Sequence, residues 1–269
     1  MLLDFSYNMR LDFSLPVKDQ HFSMKCVPRD TCRQELVTSE IKVCPDTPVM
    51  RDTDGMGNHL IYGIIRDEHE DFSLTVSGQV KTSDSLYEEY EDPSSIELVR
   101  YKVPSAYTLQ GPSLCALYRE WSESAPEGDY DKLLYYTELV RNSIRYATGT
   151  TDVHTTAEEA VRLGSGVCQD YSHVLIAVLR TAGIPARYVT GLIPGEGESH
   201  AWVEANCLGY WYGIDPTNNM LINENYIKFS HGRDYEDCMI SRGIFSNPFA
   251  IQTMKIKVNV SSDERIITQ

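Results

Sequence analysis

The sequence is short of positive charge: 24 Lys and Arg stand against 39 Asp and Glu, a formal charge of −15 over 269 residues. Without a basic stripe the chain lacks the electrostatic footprint of a nucleic-acid binder, and adhesion to anionic membranes is disfavoured for the same reason. No apolar run approaches bilayer-spanning length. Met1 to Arg10 has no basic segment followed by an apolar one, so no secretory signal is expected there. Metal-knuckle spacing is missing too, because Cys26 and Cys32 are too far apart and no paired histidines accompany them. No structural metal is therefore expected. The 7 cysteines are an odd, scattered set, which fits reduced thiols in a cytoplasmic protein.

What remains is ordinary for a globular protein, with 42% apolar and 23% charged residues. The length allows one large domain or two smaller ones. Residues 3–13, 35–43, 59–65, 71–80 and 96–101 alternate apolar and polar side chains between Pro, Gly and Asp clusters, and read as antiparallel strands. Strands at this spacing predict a small β-sandwich. Asp52–Gly57 reads as a hairpin turn; its acids do not match the spacing of a calcium loop. The acidic run Tyr87–Asp92 reads as a solvated loop. Val103–Pro112, with two prolines and a glycine, marks a boundary, giving domains at 1–104 and 105–269.

Beyond the boundary the period turns helical. Ser113–Glu123 is amphipathic, and Asp129 can cap a longer helix through Tyr146. Thr156 and Glu159 form a capping box for a short helix over Ala157–Leu163, stopped by Gly164. The stretch Gly164–Gly183 then begins as a glycine-broken loop and becomes a helix at Cys168. Tyr171, Leu175, Val178, Leu179 and Ala182 make one face, and Gly183 with Pro185 ends it. Cys168 therefore stands at a helix N-terminus, where unpaired N–H groups and the macrodipole favour an anion such as a thiolate. On this stretch alone, a thiol that merely packs under the helix fits as well.

Residues 186–193 read as a strand, 194–199 as a glycine-rich loop, and 200–206 and 211–215 as two more strands. Alternation puts His200, Trp202 and Glu204 on one face. A turn at Cys207–Leu208 sets His200 opposite Asp215; moving the turn by one residue makes them diagonal neighbours on the same face. A lone His is commonly structural and a lone Asp before Pro is commonly a turn. Together with Cys168 they are the parts of a Cys-His-Asp triad.

At these residues the chain resembles the transglutaminase-like superfamily of thiol enzymes. The resemblance rests on Gly166–His173, Gly183–Val189, His200–Glu204 and Asp215–Asn218, extended by Tyr226-Ile and Gly232–Tyr235. It spans about residues 105–260, and the β-rich start is similar to the N-terminal domain of bacterial members. The implied fold is α+β: a papain-like core, with the cysteine helix packed on an antiparallel sheet, preceded by an N-terminal β-sandwich. The implied roles are Cys168 as nucleophile, His200 as acid/base and Asp215 as the orienting carboxylate. Gln169 stands where bacterial relatives often have Arg, a difference that could bear on substrate preference or on stabilising the thiolate. Trp202 could shield a thioester or simply pack. Asp170 could orient the site but is better read as stabilising the first helical turn.

The expected activity is cleavage of amide bonds in a peptide or protein substrate through a Cys168 thioester, as a cysteine peptidase or amidase. Transfer to an amine, and a non-catalytic scaffold, are the alternatives. No cofactor, metal, nucleic-acid partner or membrane partner is expected, and no ligand cluster demands calcium.

Overall fold

A computed structural model describes residues 1–262. The first unit is all β: β1 (Leu2–Met24), β2 (Gln34–Cys44), β3 (Met50–Thr53), β4 (His59–Ile65) and β5 (His69–Thr82). Alternating burial along β1 and β5 follows the alternation of the sequence, which leaves one face apolar. The register of β1 breaks between Asp12 and Val17, and the strand changes sheets there. Residues 2–12 pair with β5, while residues 20–24 pair with β4, so one bent strand serves both sheets.

The helical part follows as α1 (Pro112–Ser122), α2 (Asp129–Ser143), β6 (Arg145–Tyr146), α3 (Ala157–Leu163), β7 (Ser165–Gly166) and α4 (Cys168–Thr181). Then come β8 (Ala186–Leu192), β9 (Gly195–Gly197), β10 (His200–Cys207), β11 (Tyr210–Asp215), β12 (Met220–Leu221), β13 (Ile227–Gly232) and α5 (Tyr235–Cys238). The chain ends its described course in β14 (Ser241–Ser246) and β15 (Gln252–Ser262), both antiparallel to β1. These last strands therefore lie with the first unit, although they follow the helices in sequence.

An antiparallel sheet in the order β12-β11-β10-β8-β13 lies between two layers. One face carries Ala201, Val203 and Ala205 against α4, in a core that also holds Leu133, Tyr136 and Val140 of α2. On the other side, Leu192, Ile227 and Phe229 join the core of the first unit, where Phe229 meets Phe5 and Tyr7 edge-on. Every residue of α4 from Gln169 to Arg180 is buried, so this helix is central and not merely amphipathic. Arg180 closes its far end with hydrogen bonds to the carbonyls of Tyr101, Ala186 and Arg233.

Both edges of the central sheet are covered, which removes an otherwise sticky strand edge. Along β13, Gln34 exchanges side-chain hydrogen bonds with the Lys228 backbone, and Asn58 does the same with His231. Along β11, backbone bonds link Glu88 and Glu89 to Trp211, and Glu91 to Gly209. This corrects the solvated-loop reading of residues 87–92. Glu88 is buried, Glu89 pairs with buried Arg187 at 2.9 Å, and Glu91 accepts the Trp211 indole N–H.

Two element assignments also change. Ile96–Tyr101 is a 3₁₀ helix, not a strand: Ser95 caps the Glu97 amide, and Leu98 and Tyr101, three apart, share a cluster with Trp211. The longer helix stops at Ser143 and starts from Gly128, with Asp129 inside its first turn. Arg145 and Tyr146 instead pair in parallel with Ser165 and Gly166, immediately before α4.

Candidate active site

Local chemistry explains why α4 begins where it does. Val167 is extended (φ −114°, ψ −175°), and Asp170 reaches back so that its Oδ2 accepts from the Val167 amide at 2.7 Å. The same oxygen accepts from the Thr151 hydroxyl at 2.7 Å, which ties the preceding loop to the helix start. Burial raises the Asp170 pKa, against the lowering effect of those two donors. Gly166 makes this approach possible, since a Cβ there would lie 2.5 Å from the Asp170 carboxylate. Asp170 thus holds the first turn. Gln169 is turned away to donate to the Val153 carbonyl at 3.1 Å, fixing the same loop.

Cys168, half-buried, is the first residue of α4. It shares with His200 a cleft of about 310 Å³ walled by Tyr146, Ile193 and the 194–199 segment. Larger hollows of about 640, 620 and 440 Å³ lie on the first unit and are lined by no cysteine. Among the described residues no group of three His, Cys, Asp or Glu side chains is arranged to hold a metal ion.

His200 opens β10 and lies opposite Gly191 of β8. The turn that sends the chain back is Leu208-Gly209, both at positive φ (54° and 94°), as a tight primed turn requires. The ladder pairs Cys207 with Tyr210 and Val203 with Ile214, one residue beyond the turn anticipated at 207–208. His200 and Asp215 are therefore diagonal neighbours, and His200 Nε2 lies 2.7 Å from Asp215 Oδ2.

The carboxylate of Asp215 is fully buried and fully used. Its Oδ1 accepts from the amides of Thr217 and Asn218 (2.8 and 3.1 Å). Its Oδ2 accepts from Asn218 Nδ2 (2.7 Å) and the Tyr226 hydroxyl (2.8 Å) as well as His200. Burial alone would raise its pKa, but the bonds from His200, Asn218 and Tyr226 outweigh it and hold the carboxyl below the usual range. Burial likewise disfavours the imidazolium of His200. The hydrogen bond to Asp215 and the neighbouring Cys168 sulfur overcome that penalty and push its pKa up to about 10. With Nε2 engaged by Asp215, Nδ1 is the ring nitrogen left for the thiol and for substrate.

Trp202 does not line the cleft. It is buried against Tyr226, edge-on at 5.3 Å between ring centroids, and packs the layer beneath His200. Glu204, the third residue of that face, is buried in an ion network with Arg187 (2.6 Å) and Lys228 (2.8 Å). Burial raises its pKa, but the two cations prevail and keep it below the usual carboxylate range. The Arg187 guanidinium also stacks 4.0 Å over the Trp211 ring.

Three contributors carried no role in the sequence reading. Asn218 had a usable signal, because Asp-Pro-Thr-Asn is a strong turn sequence. Tyr226 stood in the Tyr226-Ile pair that extends the resemblance, without a role, and Gly191 had no signal. Gly191 is required by close approach: a Cβ would meet the Ile227 carbonyl at 2.0 Å and the Trp202 ring at 2.5 Å.

A cysteine sulfur at a helix start, an imidazolium beside it and a buried carboxylate behind it are groups that can together attack a carbonyl and protonate a leaving group. A helix of this kind packed on an antiparallel sheet, with a strand-rich N-terminal unit, is the transglutaminase-like α+β fold. The chain belongs to the transglutaminase-like superfamily. The model of that superfamily matches residues 119–216, and the bacterial transglutaminase-like N-terminal region matches residues 3–81. An uncharacterized protein of Mycobacterium leprae is 31% identical over 241 residues, covering 82% of this chain and 85% of the relative. An uncharacterized Mycobacterium tuberculosis protein is 26% identical over 264 residues, covering 87% and 84%. A solved structure from Cytophaga hutchinsonii, provisionally assigned as a cysteine protease, superposes with a TM-score of 0.78 at 22% identity, covering 97% of this chain and 92% of that one.

Proposed function

We propose that this chain is a thiol acyl-transfer enzyme that cleaves amide bonds through a Cys168 thioester, working as a peptidase or amidase. The observation that carries the reading is the 2.7 Å bond from His200 to the saturated Asp215 carboxylate, beside the cysteine that opens α4. The thiolate of Cys168 attacks the amide carbonyl, and an S–C bond forms. The Cys168 backbone N–H, at the start of the helix, helps to hold the resulting oxyanion. His200 passes its proton to the nitrogen as the C–N bond breaks, and the amine departs. Water, deprotonated by His200, then attacks the thioester; the acid leaves and the thiolate–imidazolium pair is restored.

The substrate in this reading is a peptide or protein amide, with neither nucleic acid nor membrane as partner. A reducing, cytoplasmic setting agrees with 7 cysteines that are all free. No helix among the described residues is long and apolar enough to cross a membrane.

The test is iodoacetamide labelling read by mass spectrometry across pH. Cys168 is expected to react well below pH 8 and far faster than exposed Cys115, and His200→Ala should abolish the difference. Equal rates at Cys168 and Cys115 would remove the thiol-enzyme reading. A thioester-forming substrate with and without added amine then separates hydrolysis from transfer.

A further inference from the structure

The lip of the cleft belongs to both units at once. The segment anticipated as an open glycine-rich loop contains β9, which pairs antiparallel with β15: Gly195 with Val260, Glu196 with Asn259 and Gly197 with Val258. Val258 and Val260 point into the core of the first unit, so alternation sends Glu196 to the opposite side, and Glu198 follows just beyond the end of β9. Both glutamates are exposed and both line the cleft that holds Cys168 and His200. Glu198 is close enough to raise the pKa of Tyr146 on the facing wall, after burial, and alongside Cys168.

Three further facts point to a ligand. Among the described residues, these two carboxylates are, apart from His200, the only charged side chains lining the cleft. Neither makes a salt bridge or a side-chain hydrogen bond among the described residues, although most of their buried counterparts do. Finally, among the described residues β9 ends its sheet, so its second edge offers backbone groups to an extended chain. One-sign charge in a concave wall concentrates the opposite charge there.

We propose that Glu196 and Glu198 form a recognition site for a cationic side chain on the amide substrate, within a residue or two of the bond attacked by Cys168, with the substrate extended along β9. This rests on the acyl-transfer reading given above. The cation is assigned to the acyl donor and not to an attacking amine. Carboxylates beside a bound amine keep it protonated, and an ammonium is no nucleophile. The pair therefore favours recognition followed by hydrolysis.

Two measurements test it. The first needs no turnover: Cys168 is modified with 2-aminoethyl methanethiosulfonate, a cation, and with 2-sulfonatoethyl methanethiosulfonate, an anion of similar size. Each forms a mixed disulfide and releases methanesulfinate, and the rate is read at Cys168 with exposed Cys32 and Cys115 as internal references. Relative to those references, Cys168 should favour the cation, and Glu196→Gln with Glu198→Gln should lower its cation-to-anion ratio by roughly fivefold or more. An unchanged ratio overturns the proposal. The second compares peptide amides bearing Lys, Gln or Glu beside the scissile bond. Cys168-dependent cleavage that ignores this residue in the wild type sinks the recognition pair while leaving acyl transfer intact. A ratio that responds to the glutamates, with no Cys168-dependent cleavage of any peptide, keeps the cation site and removes the acyl-transfer reading instead. A preference for Lys that survives in the double variant also overturns the assignment.

Discussion

Tyr226 donates its hydroxyl to Asp215 Oδ2, the same carboxylate oxygen that holds His200 Nε2, at 2.8 and 2.7 Å. The two donors share one oxygen, so each weakens the hold of the other. Tyr226→Phe keeps the ring against Trp202 and removes only the hydroxyl donor. The freed oxygen binds the imidazolium more strongly, and the alkaline limb of Cys168 reactivity should move to higher pH, by about half a unit for one hydrogen bond to a charged group. A pH series of Cys168 alkylation in both proteins checks this.

Replacing Asp215 with Asn reverses the polarity that five donors expect. An amide nitrogen placed among them leaves donors unpaired, and His200 is no longer held as an imidazolium. Turnover dependent on Cys168 should fall by roughly 10²–10⁴-fold, as when an orienting carboxylate is lost from a comparable triad. The sign of the pH effect is fixed by His200, whose folded pKa is raised to about 10 from 6.5. Its pairing stabilises the fold in full below about pH 6.5 and loses that contribution as pH rises towards 10. Urea denaturation of wild type and His200→Gln should therefore converge as pH climbs through that window.

His173 gives the opposite slope. It is buried between the rings of Tyr107 and Tyr188, and burial, helped by the Arg180 charge, pushes its pKa down to about 3. Between about pH 6.5 and 3 the unfolded chain binds a proton that the folded one refuses. This group should cost about 1.4 kcal/mol of stability per pH unit of acidification over that range. The stability of His173→Phe should respond less steeply to acid, as measured by urea midpoints.

Gly191→Ala should act at a distance from the thiol. The added methyl meets a carbonyl of β13 and the Trp202 ring, so the strand opposite His200 must shift. Overpacking of this kind costs about 1–3 kcal/mol. Thermal unfolding should show that loss, and Cys168 alkylation should slow in the same protein.

Glu204→Gln removes the shared anion between Arg187 and Lys228, both of which are buried. Breaking a buried pair from one side costs about 3–5 kcal/mol, because the remaining charges stay desolvated. The urea midpoint should fall with little change in the slope of the transition.

How much of this was legible follows from the range of each signal. The capping box of Thr156 and Glu159, the helix start at Cys168 and the hairpin that joins His200 to Asp215 are written in neighbouring residues, and they appear in the fold as read. The turn slipped by one residue because Leu208, an unfavourable residue for positive φ, accepts it beside Gly209. Glu88 and Glu89 were misread because a charge run looks solvated until its partners are known, and Arg187 and Trp211 are remote in sequence. Ile96–Tyr101 fits period two as well as period three, and only the packing of Leu98 and Tyr101 on Trp211 decides between them. Tyr226 was marked only by the resemblance, and its bond to Asp215, like the pairing of β9 with β15, depends on contacts that no local pattern announces.

That last pairing has a consequence for the order of events in synthesis. Cys168, His200 and Asp215 all leave the ribosome before residues 252–262, the strand against which the cleft lip is laid. A nascent chain can carry Cys168 and His200 while the strand that backs the lip of their cleft is still missing. The pairing of β15 with β9 comes last, and the lip of the cleft is laid down after the thiol and the imidazole beside it.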